Sequence, residues 1–396
     1  MSAPPRDRTI DAVRAVATAG VVLGHWLVTG LVPGPDGVTT ASPLSTMPGG
    51  AAATWLLQTL GLFFFAGGYA AARRTVRRPV ARSGVSRLVR PTLVLLAGWA
   101  LVLFAGAALG QPTATLRTIA GLVVSPLWFL VPFLGLRAAT GLLRRVVGRA
   151  GALALLPPVA TVAAGDLGLL PAPVVLPAAW AVPWLLGMIL AERDEGRALL
   201  ATVGSTEMEH PNARSRADTP HPTPDGPADT PPPNACGWVG AALACNGAAV
   251  LAALVLFAGY PASAVGIPGD ERSNLDPPSL VAVALAVTQI GVFLMLRGPL
   301  SRLLRHDRAW RPVAALNRVA VPVYLGHQSV LLAVAGAAAL LNPAMPGLLT
   351  APGSTHWLWH RLAWLPILGG TLALATHRRN LNDTPAKASR RIGGSA

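Results

Sequence analysis

Three ionisable residues lie at helical spacing in the first apolar segment of the chain: Asp11, Arg14 and His25. At ~100° of rotation and ~1.5 Å of rise per residue, the steps from Arg14 to His25 return to within ~20° of the starting direction and advance ~16 Å along the axis. The three side chains therefore share one face of one predicted helix. Asp11 lies one turn from Arg14, where the two can form an ion pair.

This polar stripe is costly in an apolar helix unless it lines a protein-enclosed cavity. A charged side chain at the centre of a bilayer costs ~2.5–3.5 kcal/mol or more. Imidazole titrates near neutrality, so His25 has the chemistry of a general base. Two simpler interpretations stay open: Arg14 can extend its guanidinium to the inner interface, and His25 can be a packed, hydrogen-bonded core residue.

Two further pairs of residues carry candidate chemistry. Tyr324 and His327 are three positions apart, so they share a face of a later apolar helix. Arg87 and Arg90 stand just before Pro91 at the start of the third apolar segment. Arginines at an inner membrane surface commonly set topology or contact anionic lipids, but beside a cavity they can hold the phosphates of a nucleotide-bearing donor.

The composition indicates which elements position these residues. The 396 residues are 52% hydrophobic and only 12% charged, and the mean hydropathy is +0.51. The apolar residues form continuous blocks of about twenty, the length that crosses a ~30 Å hydrocarbon core as a helix. Continuous blocks do not alternate as barrel strands would. The sequence therefore predicts an all-α polytopic membrane protein.

The charge pattern predicts the topology. A net charge of +15 would suggest nucleic-acid binding in a soluble chain, but here the basic residues fall between apolar segments, so we expect membrane lipids and no nucleic acid as partners. The arginines concentrate in alternate loops, and the positive-inside rule then predicts cytoplasmic termini in a multi-pass plasma-membrane protein. Ten spans are predicted, at 10–32, 49–72, 91–110, 119–137, 151–170, 174–192, 236–259, 279–297, 313–341 and 357–377.

The same pattern divides the chain into four parts. Residues 1–192 hold the first six predicted spans, and residues 236–377 hold the last four, which belong to the same domain. Residues 193–235 are rich in Pro, Asp and Thr and poor in large apolar residues, a composition typical of a disordered cytoplasmic linker. Residues 378–396 are predicted to form a basic cytoplasmic tail.

Taken in order, these stretches resemble the acyltransferase-3 family of integral membrane O-acyltransferases. One position departs from the family pattern, since Gly67 stands where the second-helix motif usually has serine. The absence of an appended extracytoplasmic domain indicates the stand-alone form of the family. The residues that carry the resemblance are Arg8, Asp11, Arg14, Ala15 and His25; Phe63, Phe64, Gly68 and Tyr69; Arg87, Leu88, Arg90 and Pro91; 127–130; 186–188; and Tyr324, Leu325 and His327.

The resemblance implies transfer of an acyl group from cytoplasmic acyl-CoA to a hydroxyl. Acetyl-CoA is the expected donor and no metal is expected. The implied acceptor is a hydroxyl of a cell-envelope glycan, a lipid or an exported glycosylated metabolite, with a sugar favoured.

The chemistry assigns provisional roles within that reaction. His25 is the candidate general base, and Arg14, paired with Asp11, contacts the donor or stabilises the site. Arg87 and Arg90 would bind the CoA phosphates. Tyr324 and His327 would line the opposite wall. Direct transfer and a covalent acyl intermediate both stay open.

Two functions from other classes are also compatible with the pattern. Ten spans with a polar face and glycine-rich helices suit a solute exporter without acyl-transfer activity, although no paired inverted halves with interrupted helices are visible. A non-catalytic membrane scaffold is the third possibility, and it would tolerate substitution of both His25 and His327.

Overall fold

The computed structural model describes residues 7–75, 83–207, 235–267 and 272–382. These residues form fourteen α-helices and one two-stranded antiparallel hairpin. The helices are α1 Arg8–Val28, α2 Ala51–Leu57, α3 Leu60–Thr75, α4 Ser83–Ala108, α5 Thr113–Val124, α6 Leu130–Ala138, α7 Thr140–Ala150, α8 Leu156–Asp166, α9 Ala172–Glu207, α10 Ala235–Phe257, α11 Leu280–Leu303, α12 Asp307–Arg318, α13 Ala320–Leu341 and α14 Thr355–Asn382, and the strands are β1 Gly30–Gly34 and β2 Gly37–Ala41.

The first helix begins and ends at local sequence signals. Asp7 is the N-cap, and its carboxylate accepts hydrogen bonds from the backbone N–H of Thr9 at 2.8 Å and of Ile10 at 3.4 Å. The helix ends at Val28, so the predicted outer boundary at residue 32 is wrong. The following segment is rich in glycine and proline, which disfavour helix, and it forms the β1–β2 hairpin instead.

Nine helical segments within the described residues are long and apolar enough to cross a membrane. They overlap the first nine predicted spans, although the fifth begins at Thr140 rather than 151 and the ninth at Ala320 rather than 313. Some consist of consecutive helices, such as α5 and α6 within Thr113–Ala138. The tenth predicted span lies in α14, a helix of 28 residues that falls outside these nine. Its apolar stretch is interrupted by His360 and Arg361. The all-α polytopic class is confirmed, whereas the orientation of the termini stays a prediction.

Helices extend past three of the predicted part boundaries. Helix α9 continues to Glu207, so the linker predicted at 193–235 does not begin at 193, and α10 already begins at Ala235. Asp194, in the first turn of that extension, forms an ion pair with Arg297 of α11. Helix α14 runs to Asn382, so the predicted tail does not begin at 378. The rest of both predictions, at 208–234 and 383–396, lies outside the described residues.

Close backbone packing joins α3 to α9 at the centre of the fold. A Cβ atom added at Gly68 would overlap the backbone carbonyl of Trp184, and one added at Gly187 would overlap the carbonyl of Phe65. Around this contact, the rings of Phe64 and Trp180 stack with centroids 5.1 Å apart. Small residues thus let the two helices approach closely. Helix α1, which carries His25, packs on one side of this pair, against α3, α12 and α13.

Candidate active site

His25 lies in the last turn of α1, and one of its ring nitrogens is already engaged. Nδ1 is 2.8 Å from the backbone carbonyl oxygen of Val21 in the preceding turn. A carbonyl can only accept a hydrogen bond, so Nδ1 carries the proton and donates it. Nε2 is then the basic nitrogen of the neutral ring, which is the form a general base requires.

His327 on α13 lies directly against His25. The two ring centroids are 5.0 Å apart, and His327 is completely buried. Its Nδ1 donates to the backbone carbonyl of Tyr324 at 2.6 Å, by the same argument as for His25. The backbone of His327 is also bonded to α1, because Trp26 Nε1 donates to the carbonyl oxygen of His327 at 3.1 Å. These contacts hold α1 and α13 together at the level of the two imidazoles.

Tyr324 connects the histidine pair to the helix-breaking segment between α5 and α6. Its hydroxyl donates to the carbonyl of Pro126, and its ring packs edge-on against Phe129 with centroids 4.7 Å apart. The Tyr324 ring also lies 5.7 Å from the His327 ring. Tyr324 and His327 therefore do share a face, as their spacing predicts, and that face meets His25.

A cavity of about 600 Å³ opens beside His25. Its size lies in the range of small-molecule sites, ~300–1,000 Å³. Helices α1, α2, α13 and α14 and the segments around residues 43–50, 126–129 and 265–275 form its walls. The lining residues include His25, Tyr324, Thr54 and Gln58 together with Val21, Gly24, Leu27, Val28, Leu44, Met47, Ala53, Leu57, Pro126, Trp128, Phe129, Val265, Leu275, Leu358 and Leu362.

The other predicted site residues lie elsewhere. Asp11 and Arg14 form the expected ion pair at 3.6 Å, about three helical turns before His25, and neither is among the described residues that line the cavity. Arg90 is exposed on α4, and the side chain of Arg87 lies outside the described residues. The structure thus brings His25, Tyr324 and His327 together, whereas Arg14 and Arg90 are not among the described residues that line the cavity.

Comparison with known proteins now decides the family. The profile of a family described as an acyltransferase domain matches residues 7–376, nearly the whole chain and the whole set of site residues above. The chain belongs to the acyltransferase-3 family. No curated protein and no solved structure matches it.

Membership confirms the resemblance that the sequence motifs predict. This acyltransferase is an enzyme that transfers groups other than aminoacyl groups, and it is a multi-pass membrane protein. Family membership therefore argues against both alternatives, the exporter without acyl-transfer activity and the non-catalytic scaffold.

The departure of this acyltransferase from the family motif at Gly67 has a packing explanation. A Cβ atom at Gly67 would lie 2.9 Å from the side chains of both Phe133 and Trp184, closer than real Cβ contacts. The aromatic rings thus occupy the space that a serine side chain would need. A glycine pair in a helix can allow either close packing of a neighbouring helix or close approach of a ligand, and at Gly67 and Gly68 the structure favours packing.

An ionic network that the sequence pattern does not indicate joins α1, α3, α9 and α11 at the N-terminal end of α1. Arg297 of α11 pairs with Asp7 at 2.7 Å and with Asp194 of α9 at 2.6 Å, and the hydroxyl of Tyr69 on α3 donates to Asp194 at 2.9 Å. Burial alone would raise the pKa of Asp7, but hydrogen bonds from Thr9 and Arg297 and the charge of Arg297 hold that pKa below its usual value. The only sequence signal was an arginine at the end of a predicted span.

A fully buried arginine lies beside the C-terminal end of α1. Arg361 of α14 is completely buried, although the sequence places it near an outer helix end. One Nη atom donates to the carbonyl of Thr29, the C-cap residue of α1, and the guanidinium lies 5.4 Å from the ring centroid of Trp357. A cation is electrostatically favourable at a helix C-terminus. Arg361 therefore supports the turn that carries His25.

Proposed function

We propose that this membrane acyltransferase transfers an acyl group from cytoplasmic acyl-CoA to a hydroxyl-bearing acceptor, with His25 as the general base. Acetyl-CoA is the proposed donor, and the plasma membrane, with cytoplasmic termini, is the proposed location. The single observation that carries the proposal is the state of His25. Its Nδ1–H is committed to Val21 while the ring lies in the wall of a ligand-sized cavity.

The reaction then follows from that tautomer. Nε2 of His25 accepts the proton of the acceptor hydroxyl as the oxygen attacks the thioester carbonyl. The carbon–sulfur bond breaks, the thiolate of CoA leaves, and the proton on His25 neutralises it. A covalent acyl-histidine intermediate is the other route, in which Nε2 itself attacks the thioester and the acceptor hydroxyl takes the acyl group afterwards.

The arginines are proposed to serve the donor on the other side of the site. Arg14, held by Asp11, lies toward the N-terminal end of α1, which is the predicted cytoplasmic end. Arg87 and Arg90 are proposed to bind the CoA phosphates, because guanidinium groups form paired hydrogen bonds with phosphate oxygens. Tyr324 and His327 support the wall around the reacting groups.

Removal of the proposed base tests the assignment. We expect His25→Ala to lower the rate of CoA release from acetyl-CoA in the presence of acceptor by about 10²–10⁴-fold, the usual contribution of a general base. His306→Ala is the matched control, since His306 is exposed at the start of α12. Purified variants should elute alike in size-exclusion chromatography. Near-wild-type release by His25→Ala would refute the assignment.

A further inference from the structure

The cavity beside His25 is built almost entirely from apolar side chains. Leucine, valine, alanine, methionine, proline and aromatic residues cover its walls from α1, α2, α14 and the intervening segments. Among the described residues that line it, no side chain carries a permanent charge. A wall of this kind favours apolar ligand surface, whose transfer from water is the main driving force of binding.

Most of the polar side chains in the lining are occupied by the protein itself. The Thr54 hydroxyl donates to the carbonyl of Ala51 and accepts the N–H of Ala264. The side-chain oxygen of Gln58 accepts the N–H of Leu60 at 2.9 Å. The hydroxyl proton of Tyr324 is committed to Pro126. The other polar groups of the lining side chains are Nε2 of His25, the amide nitrogen of Gln58, the indole nitrogen of Trp128 and the hydroxyl of the exposed Thr355, so a ligand with many hydroxyls finds few partners.

This lining has too few hydrogen-bond partners for the several hydroxyls of a sugar ring. Each hydroxyl that is buried without a partner weakens binding by roughly five- to 150-fold. An apolar ligand with one hydroxyl avoids that loss, because only the reacting hydroxyl needs a partner. Nε2 of His25 can be that partner.

The position of the cavity assigns it to the acceptor rather than the donor. It extends from His25 toward Val28, at the C-terminal end of α1, and toward the segments at residues 43–50 and 265–266. Arg14 lies in the opposite direction along the same helix. Arg14, which is proposed to serve the donor, and the cavity are thus on opposite sides of the imidazole along α1.

We propose that this cavity binds the apolar body of the acceptor, so that the preferred acceptor is a hydroxyl-bearing lipid or other apolar alcohol and not a free sugar. The inference rests on the proposed acyl transfer with His25 as base. It narrows the acceptor class, and it departs from the sugar that the sequence resemblance favours.

A series of acceptors tests the proposal with the full chain in lipid nanodiscs. Acetyl-CoA is the donor, the acceptors are primary alcohols from ethanol to decanol and free glucose, and ester formation is measured by mass spectrometry. We expect kcat/KM to rise by about threefold to fourfold per added methylene until the cavity is filled. Glucose should give no ester above the background of a His25→Ala variant.

A cavity-filling variant gives the second arm. A Cβ at Gly24 lies 3.6 Å from Leu57 in ordinary contact, so Gly24→Val fits the backbone while its methyl groups enter the cavity. The variant should flatten the alcohol series, so that kcat/KM for decanol divided by kcat/KM for ethanol falls well below the wild-type ratio. Gly336→Val is the control, since Gly336 faces open space on α13, and it should keep the full preference.

The outcomes separate the inference from the reaction on which it rests. His25-dependent esterification of glucose at least as fast as decanol overturns the apolar acceptor and leaves acyl transfer intact. If Gly24→Val instead discriminates against octanoyl-CoA and not against decanol, the cavity holds the donor chain and the proposal is wrong. If no acceptor gives His25-dependent loss of the thioester, the proposed function itself fails.

Discussion

The contact between α3 and α9 allows a sharp test, the substitution Gly187→Ala. A methyl group at Gly187 would overlap the backbone carbonyl of Phe65 and would lie 2.8 Å from the backbone nitrogen of Tyr69. Neither obstacle is the flexible end of a side chain, so the two helices have to separate. Gly98→Ala is the matched control, because Gly98 lies in α4 with no atom within 4 Å of an added Cβ.

The quantity to compare is the free energy of unfolding of Gly187→Ala and of Gly98→Ala. Both gain the helix propensity of alanine, up to ~1 kcal/mol, so this term cancels in the comparison. Overpacking costs ~1–3 kcal/mol, which makes Gly187→Ala less stable than Gly98→Ala by that amount, or roughly five- to 150-fold in the folding equilibrium.

The separation of α3 from α9 should also reach the active site. Phe63 of α3 packs on Phe129 with ring centroids 5.4 Å apart, and Phe129 packs on Tyr324. We therefore expect Gly187→Ala to lower both the midpoint of thermal unfolding in detergent and the rate of CoA release. Equal unfolding midpoints for Gly187→Ala and Gly98→Ala would refute the reasoning that the backbones are in contact.

Two further predictions concern the ends of the site. Asp7→Asn should lower the midpoint of thermal unfolding at neutral pH. The folded-state pKa of Asp7 is depressed, so its carboxylate stabilises the fold fully above the unfolded-state pKa of ~3.9 and loses this effect as the pH falls through the folded-state pKa. The difference in midpoint between Asp7→Asn and wild type should therefore shrink in acid. A difference that stays constant from pH 7 down to the acid limit of folding would contradict this assignment. Tyr324→Phe removes the hydrogen bond to Pro126 and should cost ~0.5–1.5 kcal/mol, together with a lower rate of CoA release; unchanged values of both would show that the hydroxyl does not hold this wall.

The sequence predicted the helices well because their signals are local. Twenty apolar residues predict a span regardless of what packs against it, and the spacing of Asp11 and Arg14 led directly to the observed ion pair. The end of α1 was placed too late because the apolar character continues past Val28, while the glycines and prolines that follow favour a hairpin. In α9 the helix continues past the predicted end of the span at residue 192, where Asp194 forms an ion pair with Arg297 of α11.

The site itself was only partly predictable, since it depends on contacts between distant residues. His25, Tyr324 and His327 were identified as candidates, yet nothing in the pattern indicated that Trp26 would donate to the carbonyl of His327, 301 positions away. Arg361 looked like an interfacial residue. Its burial depends on the packing of α14 against the end of α1, which spacing along one helix does not reveal.

Helix α1, which carries His25, is held by side-chain contacts at three positions along its length. Asp7 is tied to Arg297 at its first turn, Trp26 to the backbone of α13, and Thr29 to Arg361 just beyond its last turn. Transporters carry a solute across by rocking one group of helices against another, and such fastening opposes that motion for α1. These contacts hold the imidazole in place, so in the proposed mechanism both the donor and the acceptor have to reach His25 rather than be carried by it.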